Sequence, residues 1–180
     1  MKGVVFTEFL GMVERAHGLD MVDELIETTS PASGGVYVST GTYDHAELAA
    51  MVVELSKRTG TPVPDLLHAF GKTLFGRFVE SFPNFFEGKT SSFDFLRTVD
   101  TYIHVEVRKL YPDAELPRFT CDEQSDGSME MVYQSSRHLE DLAHGLIEAS
   151  IEHFGDEAKV VRRLGDDGSV IFGLHPRIVA

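Results

Sequence analysis

An α+β fold, helical in its first part and antiparallel in its second, is predicted by three observations. Apolar residues recur at helical spacing through most of the first two-thirds of the chain. Pro112 and Pro117 then close that pattern. Beyond them come short extended runs bounded by Asp-Gly turns, the signature of hairpins.

Each element follows from its own residues. Val5, Phe6, Phe9, Leu10 and Val13 predict a first helix, and Gly18 separates it from a shorter segment around Met21 to Ile26. Residues 30–42 combine turn formers with few periodic apolar positions and predict an ordered loop. Asp44 and Glu47 have the spacing of a capping box, which opens a helix running to Gly60. Thr61-Pro62-Val63-Pro64-Asp65 starts the next helix, whose apolar set Leu66, Leu67, Phe70, Leu74, Phe75 and Phe78 continues until Phe82-Pro83. Asp100 to Tyr111 is predicted as one helix with Val99, Ile103, Val107 and Leu110 in a stripe and His104 at its edge, about 100° around from Ile103. Residues 118–122 and 129–134 read as strands, 139–154 as a helix, and two last strands flank Asp166-Asp167-Gly168. The result is a four-stranded antiparallel sheet with a helix between its strand pairs. Residues 1–180 form one domain, with a helical part over about 1–65 and a second part over about 66–180.

Composition narrows the function. A chain of 180 residues, 42% of them hydrophobic, can bury roughly 70% of its unfolded surface without crosslinks. The single cysteine, Cys121, excludes an intrachain disulfide and any multi-cysteine zinc or iron–sulfur centre. A net charge of -13 with 16 scattered Lys and Arg argues against nucleic acid. The opening Met-Lys-Gly-Val-Val-Phe-Thr-Glu lacks the apolar core of a signal peptide, and no run approaches the length of a membrane span, so a cytoplasmic location is expected.

Among chemical motifs, the eight histidines show no HExxH, no HxH and no pairing with Cys121, so no dedicated multi-ligand metal site is expected. A G-x-S-x-G elbow is absent, and Gly34-Gly35 is not followed by the Lys-Ser/Thr of a phosphate loop. His104 stands apart, because a helical imidazole precedes Tyr133-Gln-Ser135-Ser-Arg137. An iron porphyrin needs an axial donor, an apolar slot and partners for two propionates, for which imidazole, phenylalanines and a guanidinium are suited. If residues 133–137 are extended, Tyr133, Ser135 and Arg137 share one face. Taken alone, the histidine also reads as a core residue, the triplet as a strand with alternating polar positions, and the phenylalanines between 70 and 95 as a plain helical core.

Tyr102-Ile-His104-Val-Glu-Val-Arg-Lys-Leu-Tyr-Pro-Asp-Ala-Glu-Leu-Pro117 followed by Tyr133-x-Ser135-x-Arg137 resembles the haem-nitric oxide/oxygen binding (H-NOX) domain, related to the haem domain of soluble guanylate cyclase. The Met-Lys-Gly opening and Ala69-Phe70-Gly71 ahead of Phe82-Pro83 are similar too, so the resemblance spans essentially the whole chain. It implies a haem b buried between a distal helical part and a proximal part. His104 is then the iron ligand, and Tyr133, Ser135 and Arg137 hold the propionates. By the same resemblance Pro117 presses on the porphyrin with Val5 on the opposite face, and Phe78 packs against it.

Departures from the family pattern carry the expected selectivity. Oxygen-binding members have a distal tyrosine five residues after the motif arginine, with polar partners on two earlier helices. Here those positions are Leu142, Phe9 and Leu74. A missing hydrogen bond of this kind is worth roughly 1.5–3 kcal/mol, about 10- to 150-fold in affinity. The resemblance therefore implies a non-enzymatic sensor of nitric oxide, with carbon monoxide as a second ligand and oxygen excluded. Binding of nitric oxide is expected to break the iron–His104 bond and relax the fold, a signal read by a separate sensor histidine kinase or cyclic-di-GMP enzyme. The alternatives are a haem enzyme of peroxidase or oxygenase type, which Phe9, Leu74 and Leu142 equip with no distal acid or base, and a lipophile-binding domain without haem. Cys121 resembles a cysteine near the pocket in the cyclase relatives, and otherwise reads as a small strand residue.

Overall fold

The computed structural model describes residues 1–177. Four helices come first: α1 (Gly3–His17), α2 (Leu19–Thr29), α3 (His45–Thr59) and α4 (Val63–Ser81). A 3-10 turn at Pro83–Phe85, the short helix α5 (Ser92–Leu96), a π-helical turn (Val99–Ile103) and α6 (His104–Leu110) come next. Strands β1 (Arg118–Glu123) and β2 (Met129–Gln134) precede α7 (Glu140–Phe154), and β3 (Ala158–Leu164) and β4 (Val170–Pro176) complete the order. The four strands form one antiparallel sheet ordered β1-β2-β4-β3. The predicted α+β architecture is therefore what the chain adopts.

Two apolar cores lie along the molecule. One gathers Phe6, Phe9 and Val13 of α1, Leu25 of α2, Leu48, Met51 and Leu55 of α3, and Leu66, Leu67, Phe70 and Leu74 of α4, together with Leu142 from α7. The other packs the alternating Met129, Met131 and Tyr133 of β2 and Val170, Phe172 and Leu174 of β4 against Ala143, Ile147 and Ile151 of α7, with Phe75, Phe95 and Leu96 alongside. Period-2 alternation puts one face of each central strand under α7, as a half-covered antiparallel sheet requires. Helices α4 and α7 contribute to both cores. They cross where Gly71 meets Gly145: a Cβ on Gly145 would overlap the His68 carbonyl, and one on Gly71 the Leu142 carbonyl. Only a residue without a side chain permits that approach.

Three local expectations are corrected. Asp44 caps α3 by accepting the Ala46 N–H at 2.9 Å, but Glu47 does not reach back to complete a capping box. Its Oε2 accepts instead from the hydroxyls of Ser33 (2.6 Å) and Tyr37 (2.8 Å), which ties the 30–42 loop to α3. The helix expected over Asp100–Tyr111 is interrupted by the π-helical turn before His104. One extra residue in a turn rotates the helix beyond it, so Leu110 is exposed and His104 becomes the buried residue of α6. Finally, the extended segment ends at Gln134, and residues 135–138 turn away. The β1–β2 ladder closes with the pair Arg118↔Gln134, and the next residue of β1's side is Pro117, which has no N–H to continue it. Ser135 Oγ then accepts the Arg137 N–H at 3.2 Å, a local bond that competes with extension.

Candidate functional site

The π-helical turn delivers His104 to the interior. Its side chain is 11% exposed, and its Nδ1 lies 3.4 Å from Oδ1 of Asp100, one turn earlier. The same Asp100 oxygen accepts the Phe119 N–H at 3.2 Å, so one carboxylate fixes both the imidazole and the start of β1. Burial lowers the His104 pKa below its ordinary value, against the pull of Asp100. A neutral imidazole with Nδ1 engaged by a carboxylate presents Nε2, the arrangement in which a hydrogen bond on the far nitrogen orients a metal-ligating histidine. Phe119 packs against the His104 ring at 5.9 Å between centroids and Tyr133 against Phe119 at 5.4 Å, so the histidine and the Tyr-Ser-Arg segment are joined through one aromatic residue.

Tyr133, Ser135 and Arg137 are placed by the end of β2 and the turn that follows it, not by one strand face. Tyr133 is buried on β2, and burial raises its pKa against the opposing influence of the nearby Ser135 side chain and Leu139 backbone. Arg137, with its side chain 13% exposed, donates from Nη1 to the Glu115 carbonyl and from Nη2 to Glu115 Oε2, both at 2.7 Å. Glu115 is itself 82% exposed, so its carboxylate occupies the guanidinium as a displaceable anion. The guanidinium is thus placed to engage a carboxylate through two donors. A cleft of about 370 Å³ opens beside it, lined by Met1, Tyr43, Asp44, Asp113, Glu115 and Arg137, and another of about 250 Å³ is lined by Tyr133, Ser135, His138 and Val170.

The apolar residues singled out in the sequence also come together. Phe9, Leu74 and Leu142 belong to the first core, and Val5 and Phe78 pack at its border. Phe9 meets Phe70 edge to face at 5.4 Å. The two tyrosines nearest that core have committed hydroxyls: Tyr37 donates to Glu47, and Tyr43 accepts the Val38 N–H at 2.8 Å. Desolvation and Glu47 push the Tyr37 pKa up to about 12. Cys121 stands opposite Met131 in the sheet, and burial raises its thiol to about 11, a value that disfavours thiolate chemistry.

Sequence reasoning missed Asp100 and Glu115. Asp100 carried a legible signal, since a carboxylate four residues before a helical histidine shares its face. Glu115 lies in a turn whose path no periodicity predicts.

The donor set therefore fits a haem: a buried neutral imidazole for the iron, a guanidinium already holding a carboxylate, and a neighbouring apolar core. Comparison with known proteins agrees. A family model described as Haem-NO-binding matches residues 2–162. A point variant of the H-NOX protein from K. algicida, in its unliganded Fe(II) form, is similar at 38% identity over 99% of this chain and 98% of that one, with a TM-score of 0.92. The IWP-051-bound H-NOX from Shewanella woodyi in the Fe(II)CO state is 39% identical over 98% of this chain and 94% of that one, with a TM-score of 0.85. An H-NOX protein from S. oneidensis in the Fe(II)NO state is 25% identical over 99% and 100%, with a TM-score of 0.92. No curated protein matches the chain.

Proposed function

Since the chain belongs to the H-NOX family of haem-binding gas-sensor domains, we propose that it is a nitric oxide sensor that discriminates against oxygen and signals to a separate effector protein. The observation that carries this reading is the absence of a polar side chain at Phe9, Leu74 and Leu142, three residues packed in one core. Oxygen gains from a hydrogen bond to the charge it draws from iron, whereas nitric oxide needs none, so an all-apolar pocket separates the two. The engagement of Tyr37 and Tyr43 elsewhere supports the same conclusion.

Bound haem b supplies a ferrous iron able to take a diatomic ligand. The chain's residues do the rest. His104 would hold the iron through Nε2, with Asp100 fixing the ring through Nδ1. Tyr133, Ser135 and Arg137 would hold the propionates, at the guanidinium that Glu115 engages here. Val5, Phe78 and Pro117 shape the slot. Because Asp100 Oδ1 holds both the His104 ring and the Phe119 N–H, any displacement of His104 would be passed to α6 and the start of β1 together. The signal is limited to the differential affinity of nitric oxide for the two shapes, so a partner must read one of them. We assign that role to a sensor histidine kinase, with a cyclic-di-GMP enzyme as the other candidate, in the cytoplasm.

Absorption spectra of the ferrous protein under argon, air and nitric oxide test the ligand reading. The expected outcome is a five-coordinate spectrum under argon, no change in air, and a shift to a histidine-free species with nitric oxide. A stable oxygen complex in air overturns the discrimination. For the output, the Fe(II)NO form is expected to change the autophosphorylation of the partner kinase, and an unchanged rate rejects that partner.

Leu142→Tyr restores a hydroxyl to the pocket. Oxygen affinity is expected to rise by about 10- to 150-fold, the equivalent of one bond of roughly 1.5–3 kcal/mol to a charged group. Oxygen titration of the ferrous variant checks it, and unchanged affinity would place Leu142 away from the ligand.

A further inference from the structure

A second cluster of ligand-type side chains lies on the crossing of α4 and α7. His68 and His144 meet edge to face with ring centroids 5.1 Å apart, and Glu148 follows His144 by one helical turn. Glu148 Oε2 is 3.0 Å from His68 Nε2, and its Oε1 is 3.4 Å from His144 Nε2. One ligand atom from each residue can be chosen so that all lie within 4.8 Å of one another. Around a tetrahedral zinc with bonds of about 2.0–2.1 Å, ligand atoms stand about 3.4 Å apart, so small side-chain rotations close the set.

His144 Nε2 points to an occupant. It is a buried side-chain nitrogen without a hydrogen-bond partner among the described residues, because its approach to Glu148 lacks hydrogen-bond geometry. An unsatisfied buried polar atom is costly unless something binds it. Burial also holds the His144 imidazole below its ordinary pKa, in spite of Glu148, so a lone pair is available at neutral pH. The cluster owes its existence to the helix crossing: Gly145 rests on the His68 carbonyl, and a larger residue there would force the two histidines apart.

We propose that His68, His144 and Glu148 form a binding site for a divalent transition-metal cation of the zinc class, which clips α4 to α7. Two imidazoles and one carboxylate favour zinc and its neighbours over magnesium or calcium, which take oxygen ligands, and partial exposure leaves a fourth position for water. Lys72, 3.5 Å from Glu148, competes for the carboxylate, but its nearer partner is Glu152 at 2.6 Å, which keeps the ammonium when a cation takes Glu148. The site is separate from His104 and does not depend on what the haem binds.

Zinc chloride titrated into the haem-loaded, metal-stripped protein against a chromophoric chelator tests the proposal. One equivalent is expected to bind, and His68→Gln, His144→Gln and Glu148→Gln each to weaken it at least about tenfold. His104→Gly is expected to keep the equivalent. No stoichiometric zinc, unchanged affinity in the three variants, or loss of zinc in His104→Gly alone would each overturn it. A readout that needs no variant is zinc K-edge absorption of the wild-type complex: two imidazole nitrogens at about 2.0 Å support the site, and an oxygen-only shell rejects it.

Discussion

Replacing His104 with glycine is expected to abolish the five-coordinate ferrous spectrum, and added imidazole to bring it back. The side chain is the buried member of α6, and Asp100 Oδ1 stands 3.4 Å from its Nδ1. Glycine removes the donor but leaves the Asp100 carboxylate that orients it. Free imidazole entering the gap finds the same partner for its N–H and offers its other nitrogen, so rescue reports the orienting carboxylate as well as the ligand. The backbone cost is about 1 kcal/mol for a glycine in a helix, too little to unfold the domain. An unchanged ferrous spectrum in the variant would mean that another residue holds the iron.

The largest effect on stability is expected from Gly145→Val. A Cβ at this position overlaps the backbone carbonyl of His68, and a carbonyl in the middle of α4 cannot rotate aside as a flexible side chain can. The helices must separate along the crossing that carries Leu74 and Leu142, and overpacking of this kind costs about 3 kcal/mol. For a domain of this size that corresponds to a fall in Tm of roughly 6–12 °C, read by thermal denaturation of the haem-loaded protein. A Tm within about 2 °C of wild type would show that the helices do not meet here as closely as described.

Periodicity and proline placement made most of the fold legible. The apolar set from Leu66 to Phe78 announced α4, and the alternation of Met129, Met131 and Tyr133 announced β2, because burial of one face leaves a pattern that local residues alone carry. The π-helical turn left no such mark, since a shift in hydrogen-bond register changes no residue type. Glu47 was misread because the donors that claimed it, Ser33 and Tyr37, come from a loop that local spacing does not fold back. The residues expected at the site behave in the same two ways. His104 and Tyr133 could be singled out from their own neighbourhoods, while the turn that brings Ser135 and Arg137 round depended on Pro117 across the sheet. His68 and Glu148 lie 80 residues apart, and nothing short of the helix crossing brings them together.

That α4 runs unbroken from Leu66 and Leu74 in one core to Phe75 in the other bears on how the molecule comes apart. Neither core can lose its packing without stripping a face from a helix the other needs, and α7 imposes the same bond through Leu142 and Ala143. Melting of one half would leave the other with an exposed apolar stripe, so partial opening is penalised on both sides. The backbone amides of Leu74 and Phe75 should therefore be among the slowest in the chain to exchange with solvent deuterium, at rates that track global unfolding.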